Sequence, residues 1–393
     1  MTDDTIGLPP SEALDISALS RLFRETTNSY KYIFFLSLLD ILKRRNFEAT
    51  SPIEFREIII EILANAWYPH TFFRLSFGTQ DAIANKLDAL KSKLEISEPI
   101  LKFTDSDKKD LRGTIGSQNL DDPYIRDLMR YVPYLIIRPF FERSFGEELK
   151  KLKHPELRIP TLSKIGFETC QPLYCFDSEL YKDCKSITLH PKWVAYIQVH
   201  YPIIRGWVSW KWLEYMQRRN PSVPAIANKL FPPQKRESLS KQTQYWKLVL
   251  QATELKCIYS GRTLNATGFS LDHYLPWSFV AHDLLWNLIP TFADINSSKS
   301  NSIPPSTYFD EFVLMQHRGL NISHGRMSEN KWMNYVESYF SDLGISNKEG
   351  LLNQEILTGA YESTVLPLVS LATSQGFNEW KKIATGEQRE KVG

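Results

Sequence analysis

The sequence predicts a mainly α-helical protein with a small α+β part. Three observations carry that prediction. Apolar residues recur at spacings of three and four through most of residues 16–160, and again after residue 321. Short aromatic and β-branched runs appear after Pro160. The stretch Cys257–Pro305 reads in the order strand, loop, strand, helix. A chain of 393 residues suffices for two or three domains with real hydrophobic cores. We expect a helical region at 1–160, an aromatic and basic middle region at 161–250, a ββα unit at 251–320 and a helical region at 321–393.

Residues 1–15, with Pro9 and Pro10, are expected as a loose arm. Leu19, Leu22, Phe23, Tyr30, Ile33, Phe34 and Ile41 then predict one long amphipathic helix. Lys43, Arg44 and Arg45 stand where a helix C-terminus favours cations. Pro52–Ala66 predicts a second helix with Pro52 in its first turn, and Thr79–Leu94 a third. Pro133 and Pro139 break Tyr124–Phe141 into short helices. The segments at 172–177 and 186–190 suit a hairpin. An aromatic stretch from Trp193 to Tyr215 follows, its second half a helix stopped by Pro221. Its Trp residues are expected in the core. Pro224 and Pro232-Pro233 mark a linker before a helix at Leu239–Leu250. Near the end, Trp332, Tyr335, Val336, Tyr339 and Phe340 form a helical stripe, and Leu351–Leu371 adds one or two helices.

Composition excludes several classes. A net charge of +2 argues against a uniformly basic nucleic-acid binder. Four cysteines make no disulfide framework. The acidic start has no apolar core and reads as no secretory signal. The most apolar run, Tyr32–Leu42, is far short of the roughly twenty residues that a membrane span needs. A soluble cytoplasmic protein is expected. No phosphate-binding G-x-x-x-x-G-K-[ST] loop occurs, which speaks against an ATPase. The net charge is uneven, however. From Arg205 to Arg262 stand eleven Lys or Arg against three Asp or Glu, so that segment is +8. Arg218, Arg219, Lys229, Lys235, Arg236 and Arg262 are therefore candidate nucleic-acid contacts.

The chemistry concentrates between Cys257 and Pro305. Asp272-His273 ends the first short strand; a second strand is expected around Trp286–Ile289, and a helix over Thr291–Ser300. Asn287, Asn296 and Lys299 follow at fixed intervals. A carboxylate and an amide oxygen are hard ligands suited to Mg²⁺ or Mn²⁺, so Asp272 and Asn296 are the candidate metal pair. An imidazole beside that ion can take a proton from water, because its ordinary pKa lies near neutrality. Such a set hydrolyses phosphodiesters with one divalent ion.

These residues, in LDHYLPWS, WNLIP and NSSKSNSIP, resemble the HNH, or ββα-metal, endonuclease family. The likeness extends to the HNH domain of CRISPR RNA-guided nucleases. It implies a ββα-metal nuclease core between the helical regions. His273 would then be the general base, with Asp272 and Asn296 on the metal. Asn287 would brace the loop, and Lys299 would contact phosphate or the transition state. Many members pin this motif with a zinc held by two Cys-x-x-Cys pairs. Here those positions are Cys257, Ser260, Phe292 and Ile295, so one thiol of four remains and no structural zinc is expected. A hydrophobic cluster is expected in its place. His282-Asp283, in the connecting loop, is given no catalytic role: a surface loop or helix cap is expected there.

The resemblance implies a metal-dependent endonuclease on DNA, in restriction, antiphage defence or mobile-element activity. One such site cuts one strand, so a double-strand break calls for a homodimer, a partner protein or sequential nicking. Two other readings stand beside it. One is a nucleic-acid-binding or partner-binding protein whose nuclease fold no longer cuts. The other is an RNase-type toxin, because the motif addresses phosphates and not the 2′-hydroxyl.

Overall fold

The computed structural model describes residues 7–24, 26–78, 81–93, 105–118, 120, 127–232 and 238–381. Among the described residues it is mainly helical, with two two-stranded sheets and one three-stranded sheet. The chain forms two compact units: Met1–Pro221 with Lys229–Gln234, and Ser222–Asn228 with Lys235–Gly393. The expected middle region, 161–250, is shared between them. No described helix is long and apolar enough to cross a membrane.

In the first unit, α1 (Tyr30–Arg44) packs against α2 (Phe55–Trp67) and α3 (Tyr201–Arg219). Phe34, Leu38, Ile41, Ile58, Ile62 and Val208 are buried among them. The long first helix expected from apolar spacing is divided. A short helix, Ile16–Ser20, and a turn precede a polar run, Thr26–Ser29, before α1 begins. Asn28 accepts a hydrogen bond there from the Tyr30 N–H (3.2 Å), the local bonding that draws short polar side chains out of helices. Residues 7–15 of the expected loose arm are held: Leu8 and Leu14 are buried, and the Tyr196 hydroxyl donates to the Pro9 carbonyl (2.6 Å). Residues 1–6 lie outside the described set, as do 79–80, 94 and 124–126 of two expected helical segments.

The expected hairpin forms as β2 (Tyr174–Phe176) and β3 (Ser186–Leu189), with Tyr174 opposite Leu189. A strand the sequence reading missed, β1 (Ile53–Glu54), pairs with β3 at the start of the expected second helix. Pro52 has no N–H to give, so the chain enters extended and turns helical at Phe55. Below, Asp40 joins Arg205 and Lys108, while fully buried Glu61 joins Arg44 (2.7 Å) and Lys108 (2.9 Å). Burial opposes the Asp40 charge, yet these two cations hold its carboxyl below the ordinary value. Trp193 and Trp212 lie in the core as expected, but Trp210 is 60% exposed. It occupies the outward face of α3, on the line of Ile203 and Gly206.

The second unit has one hydrophobic core. It contains α4 (Ser240–Ala252), the hairpin β4 (Leu255–Lys256) and β5 (Thr263–Leu264), the hairpin β6 (Ser270–His273) and β7 (Leu288–Thr291), and the short α5 (Ala293–Lys299). Its longer helices after α5 are α6 (Phe309–His324), α7 (Glu329–Leu343) and α8 (Gln354–Ser374). Trp246, Phe312, Trp332, Tyr339 and Tyr361 pack there with Leu271, Tyr274, Leu288 and Ile289 of the ββα part. Gly319 allows α6 to lie close to α4: a Cβ there would meet the Trp246 ring at 2.9 Å. Past α5, Ile303 bonds to a distant stretch of chain. Its N–H donates to the Asn378 carbonyl (2.9 Å), and the Trp380 N–H donates to the Ile303 carbonyl (2.7 Å).

Candidate active site

The site stands on β6, β7 and α5. The two strands run antiparallel with Asp272 opposite Ile289 and His273 opposite Leu288. The second strand begins two residues later than expected, because Leu285–Asn287 makes a helical turn first. That turn lets the Asn287 carbonyl receive the Tyr274 N–H (2.9 Å). Successive residues of β6 face opposite ways, which separates the environments of Asp272 and His273.

Asp272 faces inward and is 2% exposed. Its Oδ2 accepts from the Tyr259 hydroxyl (2.8 Å), and its Oδ1 pairs with the Lys299 ammonium (3.1 Å). Burial, and then the neighbouring carboxylate, push the Tyr259 phenol far above its ordinary value, so it remains a donor. Lys299 is also fully buried and donates to the His273 carbonyl (2.6 Å). The expectation set its ammonium against phosphate; here it is turned onto the end of β6. The helix carrying it stops at Ser300, whose φ is +46°.

His273 faces the other way. Its Nε2 lies 2.7 Å from Asp283 Oδ1, in the loop joining the two strands. Both side chains are largely covered, at 13% and 16% exposure. Asp283 is therefore neither a bare surface residue nor a helix cap. His282 beside it lies against the Trp286 ring (centroids 5.2 Å apart). Burial pushes its imidazole down to about 4, with His273 adding to the fall and Asp342 and Asp283 opposing it. Asn287 is fully buried and clasps Leu275: its Oδ1 accepts from the Leu275 N–H (2.8 Å), and its Nδ2 donates to the Leu275 carbonyl (2.9 Å). Asn296 donates through Nδ2 to Ser270 Oγ (2.9 Å) and the Leu271 carbonyl (3.0 Å). Those bonds fix its amide and leave Oδ1 as the acceptor without a partner among the described residues.

Residues 257–305, which hold all of these groups except those from the flanking helices, match the family model of the HNH endonucleases. This stretch belongs to the HNH family. No curated protein and no solved structure matches the chain. The HNH segment is thus a nuclease domain by family, and nucleic acid is the partner it implies.

Asp272 and Asn296 Oδ1 are the hard oxygens this segment offers a divalent cation, and Lys299 is paired with the first of them. Among the described residues, no three His, Cys, Asp or Glu side chains gather into a metal cluster. A carboxylate on the strand and an amide oxygen on the helix are nevertheless both hard donors. Each Asp272 oxygen accepts one hydrogen bond and keeps a second lone pair. At the old zinc positions of the HNH family, Cys257 is buried with its Sγ 3.2 Å from Thr291 Oγ1. Phe292 and Ile295 pack against the same core.

The candidate nucleic-acid residues have diverse surroundings. Arg262 sits over the Phe292 ring (3.9 Å to its centroid) and pairs with Asp294 (2.9 Å) beside the HNH helix. In the first unit, Arg218 is exposed, and Arg219 donates to the Tyr215 hydroxyl (3.2 Å) and the Thr27 carbonyl (3.1 Å). Lys229 is a correction: expected on a basic surface, it is fully buried, and desolvation pushes its amine down to about 7. Lys235 and Arg236 lie outside the described residues. The sequence reading missed Tyr259 and set Asp283 aside. Tyr259 left no local signal, while Asp283 offered one: an acid ten residues past the histidine, across a loop that doubles back.

Proposed function

We propose that this chain is a metal-dependent endonuclease that hydrolyses DNA phosphodiester bonds, with His273 as general base. The observation that carries the reading is the strand end that holds Asp272 inward and His273 outward, beside the free Oδ1 of Asn296 on the following helix. Asp272 and Asn296 would hold one Mg²⁺ or Mn²⁺. When bound, that ion would polarise the phosphate and stabilise the leaving oxygen. His273 takes a proton from water as the water oxygen attacks phosphorus. The bond from phosphorus to the leaving oxygen breaks and that oxygen takes a proton from solvent, giving one phosphate end and one hydroxyl end. The histidine then releases its proton to solvent. Asn287 keeps the strand-to-loop turn in place, and Lys299 anchors the carbonyl of the base itself.

His273→Ala should abolish plasmid nicking in Mg²⁺ or Mn²⁺, a loss of at least about 10²-fold, with DNA binding nearly intact. Undiminished cutting by this variant would remove His273 from the mechanism. Parallel digestion of plasmid, single-stranded DNA and tRNA tests the substrate, and preference for tRNA would replace DNA by RNA. Supported by the family resemblance alone, we place the activity in restriction or antiphage defence. Phage plating on cells expressing the intact or the His273→Ala chain checks this: only the intact chain should lower it.

A further inference from the structure

We propose that Asp283 is the positioning residue for the base of this site: it holds His273 through Nε2 and so assigns the proton-accepting role to Nδ1. The inference rests on the reading of His273 as general base and adds a residue outside the Asp-His…Asn…Asn motif. The geometry is specific. His273 Nε2 and Asp283 Oδ1 are 2.7 Å apart, the short range of a charge-assisted bond. Both groups are largely covered. Nδ1 has no hydrogen-bond partner among the described residues, and the His273 carbonyl is held by Lys299 (2.6 Å). The ring is thus fixed at its backbone and at one nitrogen, while the other nitrogen remains available to water.

The loop carrying Asp283 is itself held. The Gln242 side chain donates to the Asp283 carbonyl (2.8 Å), and the Leu284 N–H points to His282 Nδ1 (3.4 Å). Desolvation keeps His282 neutral at neutral pH, so it brings no positive charge to compete for the Asp283 carboxylate. A carboxylate on Nε2–H fixes the tautomer whose lone pair is on Nδ1. When Nδ1 takes the proton from water, the imidazolium forms against a negative charge already in place. The proton then leaves from Nδ1 to solvent.

The test uses the full chain with Asp283→Asn, Asp283→Glu and His273→Ala. Nicking is followed under saturating and limiting plasmid, and the ring tautomer is read from ¹⁵N shifts of labelled histidine, with His273→Ala assigning the signal. Asp283→Asn should lower kcat at least about tenfold, with KM within about twofold. The His273 signal should at the same time move away from the Nε2–H tautomer. Asp283→Glu should restore part of kcat and the original tautomer. If His273→Ala is inactive but Asp283→Asn keeps full kcat, or changes only KM, the positioning role is wrong while the base stands. If His273→Ala cuts normally, the reading of the site itself fails. An Asp283→Asn chain that has lost its fold, seen in its thermal melt, leaves the tautomer and kcat of Asp283→Glu to decide: an unchanged tautomer with kcat restored supports the role, and full kcat with a switched tautomer overturns it.

Discussion

At the scale of single residues, the site is built from pairs whose two members meet across the ββα turn. Asp272 meets Lys299 and Tyr259, His273 meets Asp283, and Asn287 meets the Leu275 backbone. The neighbouring His282 makes this region sensitive to acid. Its folded-state pKa is about 4 against an ordinary 6.5, mainly because burial disfavours the charged ring. Between those values the unfolded chain binds a proton that the native chain does not, so stability falls as pH drops through this window. The contribution reaches about 3 kcal/mol near pH 4 and vanishes above the ordinary value. Urea unfolding of the native chain and of His282→Gln at pH 7 and pH 4.5 checks this. The variant should lose less stability on acidification. Parallel losses in the two chains would show that His282 does not set the response.

At the scale of elements, the strand β7 and the turn before it are held by side chains from four helices. Gln316 of α6 donates to the Leu285 (3.3 Å) and Leu288 (3.0 Å) carbonyls, and Trp246 of α4 donates to the Leu288 carbonyl (3.0 Å). Tyr361 of α8 donates to the Trp286 carbonyl (2.8 Å), and Asp342 of α7 accepts from the Trp286 indole (2.8 Å). Gln316 in turn accepts from the Tyr339 hydroxyl (2.6 Å), so Gln316→Leu removes that buried acceptor and the hold on two carbonyls. The expected cost is about 2–4 kcal/mol by chemical denaturation, with reduced nicking at temperatures where the chain remains folded. None of this was legible in the sequence, because the partners lie 23 to 75 positions apart and long-range pairing leaves no local pattern. What was legible was local. Asp272, His273, Asn287, Asn296 and Lys299 lie within one short ββα run, and the hairpin of β2 and β3 announced itself by composition. The first helix misled because the apolar spacing resumes at Tyr30, seven residues after Phe23, across the polar run Thr26–Ser29 where side-chain bonding to the backbone breaks the helix. Lys229 misled because charge in a sequence does not say which side of a helix faces inward.

At the scale of the whole molecule, the HNH segment shares its core with the helices around it. Its Leu271, Tyr274, Leu288 and Ile289 share one core with Trp246 before it and with Trp332, Tyr339 and Tyr361 after it. Residues 251–320 made alone expose that apolar surface and lack the side chains that hold the strand carbonyls. We expect this fragment to show no cooperative thermal transition, while residues 222–393 melt in a single one; calorimetry of both distinguishes the cases. A cooperative transition in the short fragment would make the helices an accessory. The backbone bonds from Ile303 to Asn378 and Trp380 add a further consequence, one of timing during synthesis. The motif residues leave the ribosome before Tyr361, Asn378 and Trp380, so a nascent chain arrested before residue 361 carries every motif residue without the bonds those three make to Trp286 and Ile303. We expect a chain truncated before residue 361 to lack nicking activity, and the plasmid assay of that product checks it.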